Sequence, residues 1–259
     1  MKETIVFVHG MWLNAKCWDK YRKFFQKKGY QCITPTLRFH DLRPNEIPDP
    51  RLGTTGVLDY VEDLEKVIRK LKTKPILIGH SMGGLLVQIL AARGLAKALV
   101  MMNPDPPHGI MILRLSVMKG LMSAMTKWGF WKKPFKQTFD EATYSMLQLL
   151  SFKEQKSFFD NFVYESGKAA VEIGFWFLNP KKPTKVNKEN ITCPTLIIGS
   201  KQDNIVPASV VRKIARKYKK VAVYKEYSHH SHWVIAEPGW QEICGDIHNW
   251  LKINLVAKR

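Results

Sequence analysis

A serine lies at the centre of the pentapeptide Gly79-His80-Ser81-Met82-Gly83, where a strand pattern passes directly into a helical pattern. The apolar run Ile76-Leu77-Ile78 precedes this pentapeptide, and the helical pattern begins at Met82. A strand-to-helix turn of this kind holds its central residue in a strained conformation and exposes the serine Oγ. The free N–H groups and the positive dipole end of the helix face negative charge that develops beside that oxygen. The sequence therefore predicts nucleophilic attack by Ser81 and stabilisation of an oxyanion.

A candidate acid and three candidate bases follow the serine along the chain. Asp203 comes just after an apolar strand pattern, and His229, His230 and His232 follow the last strand pattern. The order Ser, Asp, His is the order of a catalytic triad built on a strand-to-helix serine turn. Because all three histidines belong to one predicted loop, any of them could act as the base.

These residues require elements that bring several strand ends to one edge of a sheet. Apolar strand patterns alternate with amphipathic helical patterns, which is typical of right-handed crossovers between parallel strands. The predicted strands cover residues 4–8, 30–34, 75–78, 98–102, 195–199 and 221–224. The predicted helices cover residues 14–28, 57–71, 82–93, 207–218 and 239–255. We therefore predict an α/β fold with a mostly parallel sheet of about six strands, flanked by helices.

The alternation of strands and helices stops after residue 103 and resumes near residue 192. The intervening stretch contains helical segments rich in Met, Phe, Trp and Leu, and it shows no convincing strand pattern. One helical stripe carries the apolar residues Ile110, Leu113, Val117, Leu121 and Met125. We predict that residues 1–103 and 192–259 form the core, and that residues 104–191 form a helical cap inserted between two core strands.

Four motifs, taken together, resemble those of the α/β-hydrolase superfamily. They are His9-Gly10, Gly79-His80-Ser81-Met82-Gly83-Gly84, Asp203 with the trailing Ile205-Val206-Pro207, and His232-Trp233 with Glu237-Pro238. The matches extend from His9 to the C-terminal helix and cover nearly the whole core. The resemblance implies an α/β-hydrolase core without the first two strands of that fold. It also implies a capped serine hydrolase similar to esterases and lipases.

The resemblance implies a role for each member of the triad. Ser81 is the expected nucleophile, His232 the general base and then the general acid, and Asp203 the carboxylate that orients the imidazole. His232 is favoured over the two preceding histidines because the residues that follow it match the superfamily. Asp105 is the alternative acid, since some families of the superfamily take the acid from the loop that follows the strand ending at residue 102.

The resemblance also identifies candidate donors for an oxyanion hole. The expected donors are the backbone N–H groups of Met11 and Met82, with that of Trp12 as an alternative. His9 is expected to brace the loop that carries the first of these donors. His80, beside the nucleophile, is expected to be packed or hydrogen-bonded rather than catalytic.

The cap is rich in methionine and aromatic side chains, which suit an adaptable apolar pocket. The candidate pocket residues are Met111, Met125 and Trp128 in the cap, and Trp12 and Trp233 in the core. Such a pocket suits medium-sized hydrophobic esters, lactones or thioesters. Two alternatives are a carbon–carbon bond hydrolase with the same triad and a non-catalytic receptor for a small apolar ligand. No cofactor is expected, because the sequence shows neither a metal-ligand motif nor a dinucleotide-binding glycine motif.

The 259 residues carry a formal charge of +19, which attracts anionic lipid, nucleic acid or acidic substrates. A Lys-rich solvated surface explains the same excess. No nucleic-acid-binding motif accompanies the charge, so no nucleic acid partner is expected. Between Asp105 and Asp140 the sequence contains six basic residues and no acidic residue. This composition indicates peripheral contact between the cap and an anionic membrane.

The sequence also predicts the cellular compartment of the protein. It contains no uninterrupted apolar run of about 18 residues, the length that a membrane-spanning helix needs. The first strand pattern begins at Thr4 and leaves no room for a signal peptide. A cytoplasmic location is therefore expected, with the possibility of peripheral membrane contact.

Overall fold

The computed structural model describes residues 2–43, 46–112 and 115–256. Its strands are β1 (Thr4–Val8), β2 (Gln31–Ile33), β3 (Ile76–His80), β4 (Ala98–Met102), β5 (Pro134–Phe135), β6 (Glu165–Ser166), β7 (Thr195–Ser200) and β8 (Ala222–Tyr227). Six of them form one parallel sheet in the order β2-β1-β3-β4-β7-β8. The predicted α/β fold with a six-stranded parallel sheet is confirmed.

The helices connect these strands and cover the sheet. They are α1 (Asp19–Lys27), α2 (Val57–Arg69), α3 (Met82–Ala92), α4 (Leu115–Lys119), α5 (Met122–Met125), α6 (Phe139–Ala142), α7 (Phe152–Phe159), α8 (Gly167–Gly174), α9 (Ala208–Lys217) and α10 (Trp240–Val256). Short 3-10 helices lie at Ala15–Trp18, Pro50–Thr54, Phe130–Lys132, Trp176–Leu178 and Lys188–Asn190, and one π-helical turn lies at Thr143–Leu147. Within the described ranges, none of these helices has the length and apolar character needed to cross a membrane.

Two apolar layers pack on the two faces of the sheet. Strands β1, β3 and β4 are buried along their whole length, as expected for continuous apolar runs in the middle of a parallel sheet. Helices α1 and α10 cover the face that carries Ile5 and Phe7. Helices α2, α3 and α9 cover the face that carries Val6 and Val8. This packing fixes the positions of the strand ends.

The carboxyl ends of the strands meet at one edge of the sheet. The register pairs His80 with Met102 at the ends of β3 and β4, and it pairs Ser200 with Tyr227 at the ends of β7 and β8. Open parallel sheets bind ligands at this edge, beyond the carboxyl ends of their strands. The loops that follow β1, β3, β4, β7 and β8 therefore supply the candidate site.

A long segment, here termed the insertion (residues 103–194), separates β4 from β7. The prediction of one continuous helical stripe in this segment is wrong, because α4 and α5 are separate short helices. Their boundary lies at Gly120, whose carbonyl accepts a hydrogen bond from the Gln137 side chain at 2.6 Å. That carbonyl is thereby diverted from the helical hydrogen-bond pattern. Leu113, a member of the predicted stripe, lies outside the described residues.

The insertion also contains a short sheet that the sequence patterns did not indicate. Strands β5 and β6 pair in antiparallel register, Phe135 with Glu165 and Pro134 with Ser166. Two-residue strands are too short to produce a period-two pattern, so the expectation of a purely helical segment is wrong at this point.

Candidate active site

Ser81 occupies the turn between β3 and α3, with φ of 55° and ψ of −125°. A positive φ is strained for a residue with a side chain and persists where surrounding contacts hold it. The Ser81 N–H donates to the Met102 carbonyl at 3.1 Å, and the Ser81 carbonyl accepts from the Asp105 N–H at 3.0 Å. Met82 is the first residue of α3, and the N–H of a first helical residue has no carbonyl partner within its helix. The turn therefore holds a strained serine beside a helix N-terminus.

Two glycines allow the strands and loops to close around this turn. A Cβ atom on Gly83 would lie 2.2 Å from the Val8 carbonyl oxygen, and one on Gly10 would lie 2.8 Å from the Ser81 Cβ. Larger residues at these positions would collide with the backbone of β1 and with the serine itself. The glycines thus bring the loop after β1 into contact with the turn that carries Ser81.

His232, on the loop after β8, forms a buried pair with Asp203, on the loop after β7. The His232 Nδ1 lies 2.7 Å from the Asp203 Oδ2. The other carboxylate oxygen accepts from the Ile205 and Val206 N–H groups at 2.9 and 2.7 Å. Because the carboxylate is a hydrogen-bond acceptor, it favours the tautomer of His232 that carries its proton on Nδ1 and has a free lone pair on Nε2.

The loop that carries His232 is fixed beside the serine turn. The ring of His80, the neighbour of Ser81, lies 4.7 Å from the His232 ring between centroids. His80 Nε2–H donates to the His232 carbonyl at 2.8 Å, and Asn103 Nδ2 donates to the Ser231 carbonyl at 2.9 Å. Burial and the neighbouring His232 hold the pKa of His80 well below its ordinary value, so its imidazole is neutral. His80 therefore has a hydrogen-bonding position, as expected.

The two histidines that precede His232 have other environments. His230 Nδ1 lies 2.8 Å from Glu237 Oε1, and the buried Glu237 also accepts from the Ser231 N–H and hydroxyl at 3.0 and 2.7 Å. His229 is exposed. In the sequence, Glu237 is distinguished only as part of the Glu237-Pro238 motif. Its contacts identify it as the residue that fixes the backbone immediately before His232.

His9 holds the loop after β1 in place through two hydrogen bonds of its ring. Its Nδ1–H donates to the Gly10 carbonyl at 2.9 Å, and its Nε2 accepts from the Leu37 N–H at 3.0 Å. Burial, with a smaller effect from His40, lowers the pKa of His9 to about 3, so the ring is neutral and can accept at Nε2. The next residues of the loop, Met11 and Trp12, both line the cavity beside Ser81.

Asp105 lies on the same edge of the sheet but faces a different neighbour. Asp105 lines the cavity with Ser81, while His232 Nδ1 contacts Asp203. Burial raises the pKa of the Asp105 carboxyl from 3.8 to about 7. The geometry therefore pairs the imidazole with Asp203 rather than with the alternative acid. Within the described parts of the chain, no group of three or more His, Cys, Asp or Glu is arranged to hold a metal ion.

A cavity of about 240 Å³ adjoins Ser81. The core contributes Met11, Trp12, Ser81, Asp105 and Ile205 to its wall. The insertion contributes Met111, Ile112, Val117, Met118, Leu121, Met125, Ala170, Ile173, Gly174, Phe175 and Phe177. Apart from Ser81 and Asp105, the lining side chains are apolar or absent, so the cavity suits a hydrophobic group.

Three of the five expected pocket residues, Trp12, Met111 and Met125, line this cavity, and two do not. Trp128 follows the end of α5, is 86% exposed and packs edge-on against Trp131. Trp233 is buried away from the cavity against Phe158 and Phe162. In both cases the neighbours of the indole lie outside the cavity, and the residue type does not record which neighbours a side chain meets in the fold.

Residues 5–240 match the model of the Alpha/beta hydrolase family. A methylesterase from Arabidopsis superposes with a TM-score of 0.73 at 13% identity, over 97% of this chain and 99% of the methylesterase. A monoacylglycerol lipase from Paleococcus ferrophilus superposes with a TM-score of 0.69 at 21% identity, over 96% of this chain and 93% of the lipase.

A polyneuridine aldehyde esterase gives a similar result, with a TM-score of 0.70 at 16% identity over 96% of this chain and 99% of the esterase. At these identities the three structures establish the common fold. The family match covers most of the chain and spans the serine turn, the Asp203 loop and the His232 loop. The chain belongs to the alpha/beta hydrolase family.

Proposed function

We propose that this protein is a serine hydrolase that cleaves the ester bond of a hydrophobic small molecule. The observation that carries the proposal is the buried 2.7 Å contact between His232 and Asp203 beside a strained Ser81, at the wall of an apolar cavity. A nucleophile, a base and a residue that orients the base form the pattern of nucleophilic acyl transfer. The esterase and lipase relatives give independent support for hydrolysis.

In the proposed mechanism, Asp203 holds His232 with the proton on Nδ1, so that Nε2 takes the proton from the Ser81 hydroxyl. The serine oxygen attacks the ester carbonyl and forms a tetrahedral intermediate. His232 then returns the proton to the leaving alcohol, and an acyl-enzyme remains on Ser81. Water, activated by the same imidazole, releases the acid and restores the serine.

The oxyanion of each tetrahedral intermediate is assigned to backbone N–H groups of Met82 and Met11. Met82 starts α3, where the helix dipole adds positive potential. Met11 lies on the loop that Gly10 brings against Ser81. Trp12 is the alternative donor; its φ of 61° turns the backbone at this point, and its carbonyl accepts from the Val163 N–H at 2.9 Å.

The cavity supports the assignment to hydrophobic esters. Its apolar lining comes largely from the insertion, so we propose that residues 104–191 act as a cap over Ser81 and select the substrate. Thioesters and lactones have the same electrophilic carbonyl and are compatible with the same site. The acyl or alcohol group of the substrate would occupy the space between α4, α5 and α8.

Hydrolysis of p-nitrophenyl esters of increasing acyl length tests the proposal. We expect turnover to peak at an intermediate chain length that matches the cavity, and to vanish in Ser81→Ala. Ser157→Ala, an exposed serine of the insertion, is the matched control and is expected to retain native turnover. A folded native protein without turnover on any ester would contradict the ester hydrolase proposal.

The base is tested with a second matched pair. Loss of a general base typically lowers the rate by about 10²- to 10⁴-fold, so the hydrolysis rate of His232→Ala is expected to fall by at least this amount. His229→Ala changes an exposed histidine three residues away and is expected to stay near the native rate. Equal losses in the two variants would remove His232 from the proposed role.

A further inference from the structure

The cavity over Ser81 is bordered by exposed apolar side chains. Met118, Met125 and Phe177 line the cavity and are also exposed to solvent. Four further exposed side chains lie within three residues of one of these along the chain: Leu115, Met122, Trp128 and Leu178. We call these seven residues the rim face. Leu115 is 83% exposed and Leu178 is 67% exposed. An exposed apolar patch, rather than a single exposed leucine, is the feature that marks an interaction surface.

The two segments that form the rim face carry positive charge only. Residues 106–139 and 173–188 contain ten Lys or Arg and no Asp or Glu. Exposed lysines accompany the apolar side chains on both segments, among them Lys119, Lys127, Lys132, Lys181 and Lys182. These two segments therefore combine exposed apolar side chains with exposed lysines at the mouth of the cavity.

This combination distinguishes between classes of partner. Nucleic acid or an acidic protein would use the lysines and would gain little from exposed leucine and methionine. An apolar protein groove would use the rim but would gain nothing from the lysines exposed on the same two segments. An anionic bilayer uses both, because apolar side chains enter the boundary of the acyl chains while lysines contact lipid phosphates.

We propose that the rim face docks on an anionic phospholipid membrane, with the mouth of the cavity against the lipid. The contact is peripheral and uses side chains of α4, α5 and the Trp176–Leu178 turn. Docking itself does not depend on catalysis. Its consequence for substrate, namely that a hydrophobic ester enters the cavity from the bilayer, rests on the proposed ester hydrolase function.

Vesicle co-sedimentation tests the proposal directly. Native protein and Ser81→Ala are mixed with vesicles of phosphatidylcholine alone or of phosphatidylcholine with phosphatidylserine, at about 0.1 M and about 0.5 M salt. Binding by both proteins to the phosphatidylserine vesicles, weaker at high salt and absent on phosphatidylcholine alone, is expected. Because Ser81→Ala is included, the result does not depend on whether the protein is an esterase.

Two double variants locate the contact. Leu115→Ser with Leu178→Ser removes apolar groups of the rim face, and Lys127→Glu with Lys132→Glu reverses charge beside it. Each is expected to lower the affinity for phosphatidylserine vesicles at least about tenfold. The matched controls are Val223→Ser with Ile253→Ser, two exposed apolar residues elsewhere, and Lys213→Glu with Lys219→Glu, which makes the same change in net charge.

The controls are expected to bind nearly as well as native protein, and thermal melting establishes that each variant is folded. Absence of binding to phosphatidylserine vesicles overturns the proposal, as does binding that is unchanged between the two salt concentrations. Equal losses in the control variants also overturn it, since they would show a general charge effect. Retained binding in the Leu115→Ser, Leu178→Ser protein would show that the vesicles are bound by charge alone, and would equally overturn membrane docking by the rim face.

Discussion

Residues of one type have different roles in this site because their burial and partners differ. Of three histidines within four positions, His229 is exposed, His230 contacts Glu237 and His232 contacts Asp203. His232 also lies beside the serine turn, because its carbonyl accepts a hydrogen bond from His80, the neighbour of Ser81. The two candidate acids differ in the same way. Asp203 accepts hydrogen bonds from the imidazole and two backbone N–H groups, while Asp105 is among the residues that line the cavity.

The buried carboxyl of Asp105 predicts a dependence of stability on pH. Its pKa of about 7, raised from 3.8 by burial, means that the folded protein keeps a proton that the unfolded chain has lost. Stability therefore falls as pH rises between these values. Asp105→Asn removes this loss of folding stability. The loss amounts to about 1.4 kcal/mol for each tenfold difference in proton affinity between the folded and the unfolded state. We expect the Tm of Asp105→Asn to exceed that of the native protein at pH 8, by roughly 2–4 °C for each kcal/mol of stability regained. At pH 4 we expect little difference between the two Tm values.

The measurement is the Tm of the native protein, Asp105→Asn and Asp41→Asn by thermal melting between pH 4 and pH 8. Asp41 is exposed, so Asp41→Asn makes the same change in net charge without removing a buried carboxyl. Its Tm is expected to follow the native protein at every pH. An equal gain at pH 8 in both variants would show that net charge, and not burial of Asp105, determines the effect.

At the scale of elements, the short strand β6 anchors the insertion to the core. Glu165 on β6 is buried, accepts from the Tyr60 hydroxyl at 2.7 Å and lies 3.0 Å from His40 Nε2. The adjacent Ser166 hydroxyl donates to the Thr55 carbonyl at 2.6 Å. Helix α8, which forms part of the cavity wall, begins directly after β6. The buried contacts of β6 therefore fix one wall of the cavity against α2 and the loop before it.

The Glu165–His40 pair predicts a second dependence on pH. Burial lowers the pKa of His40, but the charge and hydrogen bond of Glu165 outweigh burial, and the net pKa is raised. The pair therefore stabilises the fold fully below the unfolded pKa of about 6.5, and this contribution is lost as pH rises through the folded pKa. Glu165→Gln leaves a buried imidazolium without its counter-charge. We expect the free energy of unfolding at pH 6 to fall by about 3–5 kcal/mol, with a smaller loss at pH 9.

Urea denaturation at the two pH values provides the measurement. Glu189→Gln is the control, because the ion pairs of Glu189 with Lys188 and Lys220 are exposed. Such pairs contribute about 0–1 kcal/mol, so the control is expected to lose little at either pH. If Glu165→Gln lost the same free energy at pH 6 and pH 9, its hydrogen bond to Tyr60 rather than the charge of His40 would account for the loss.

At the scale of the whole molecule, the site lies in a strongly positive field. The chain carries a formal charge of +19, and both segments beside the cavity mouth lack acidic residues. A field of one sign at the entrance to a cleft raises the encounter rate of ligands with the opposite charge. Substrate charge should therefore affect the rate of capture even though the cavity itself is apolar.

This field predicts a salt dependence that differs between substrates. Two p-nitrophenyl esters of similar length are compared, one neutral and one with a terminal carboxylate on the acyl chain. From about 0.01 M to about 1 M salt the screening length shortens from about 30 Å to about 3 Å. We expect kcat/KM for the anionic ester to fall over this range relative to that for the neutral ester. Parallel changes for both esters would mean that salt acts on the protein rather than on capture.

The sequence by itself determined the elements of the core and the chain order of the candidate site. Apolar runs and amphipathic patterns are local properties, so they predicted β3, α3 and the six-stranded parallel sheet with only small errors at the element ends. The glycines around Ser81 likewise indicated a strand-to-helix turn, because such a turn requires close backbone contacts. The composition also indicated that residues 104–191 interrupt the alternation.

Only the tertiary structure decided which candidates meet. His232 and Asp203 are 29 positions apart, and His232 and His80 are 152 positions apart, so their contacts depend on how distant elements pack. The same packing places Gln137 on the Gly120 carbonyl, where the predicted helical stripe breaks, and turns Trp128 out of the cavity. Local periodicity records the burial of a residue within its own element. It carries no information on the partner that a side chain meets across the fold, and at this site that partner determines the chemistry.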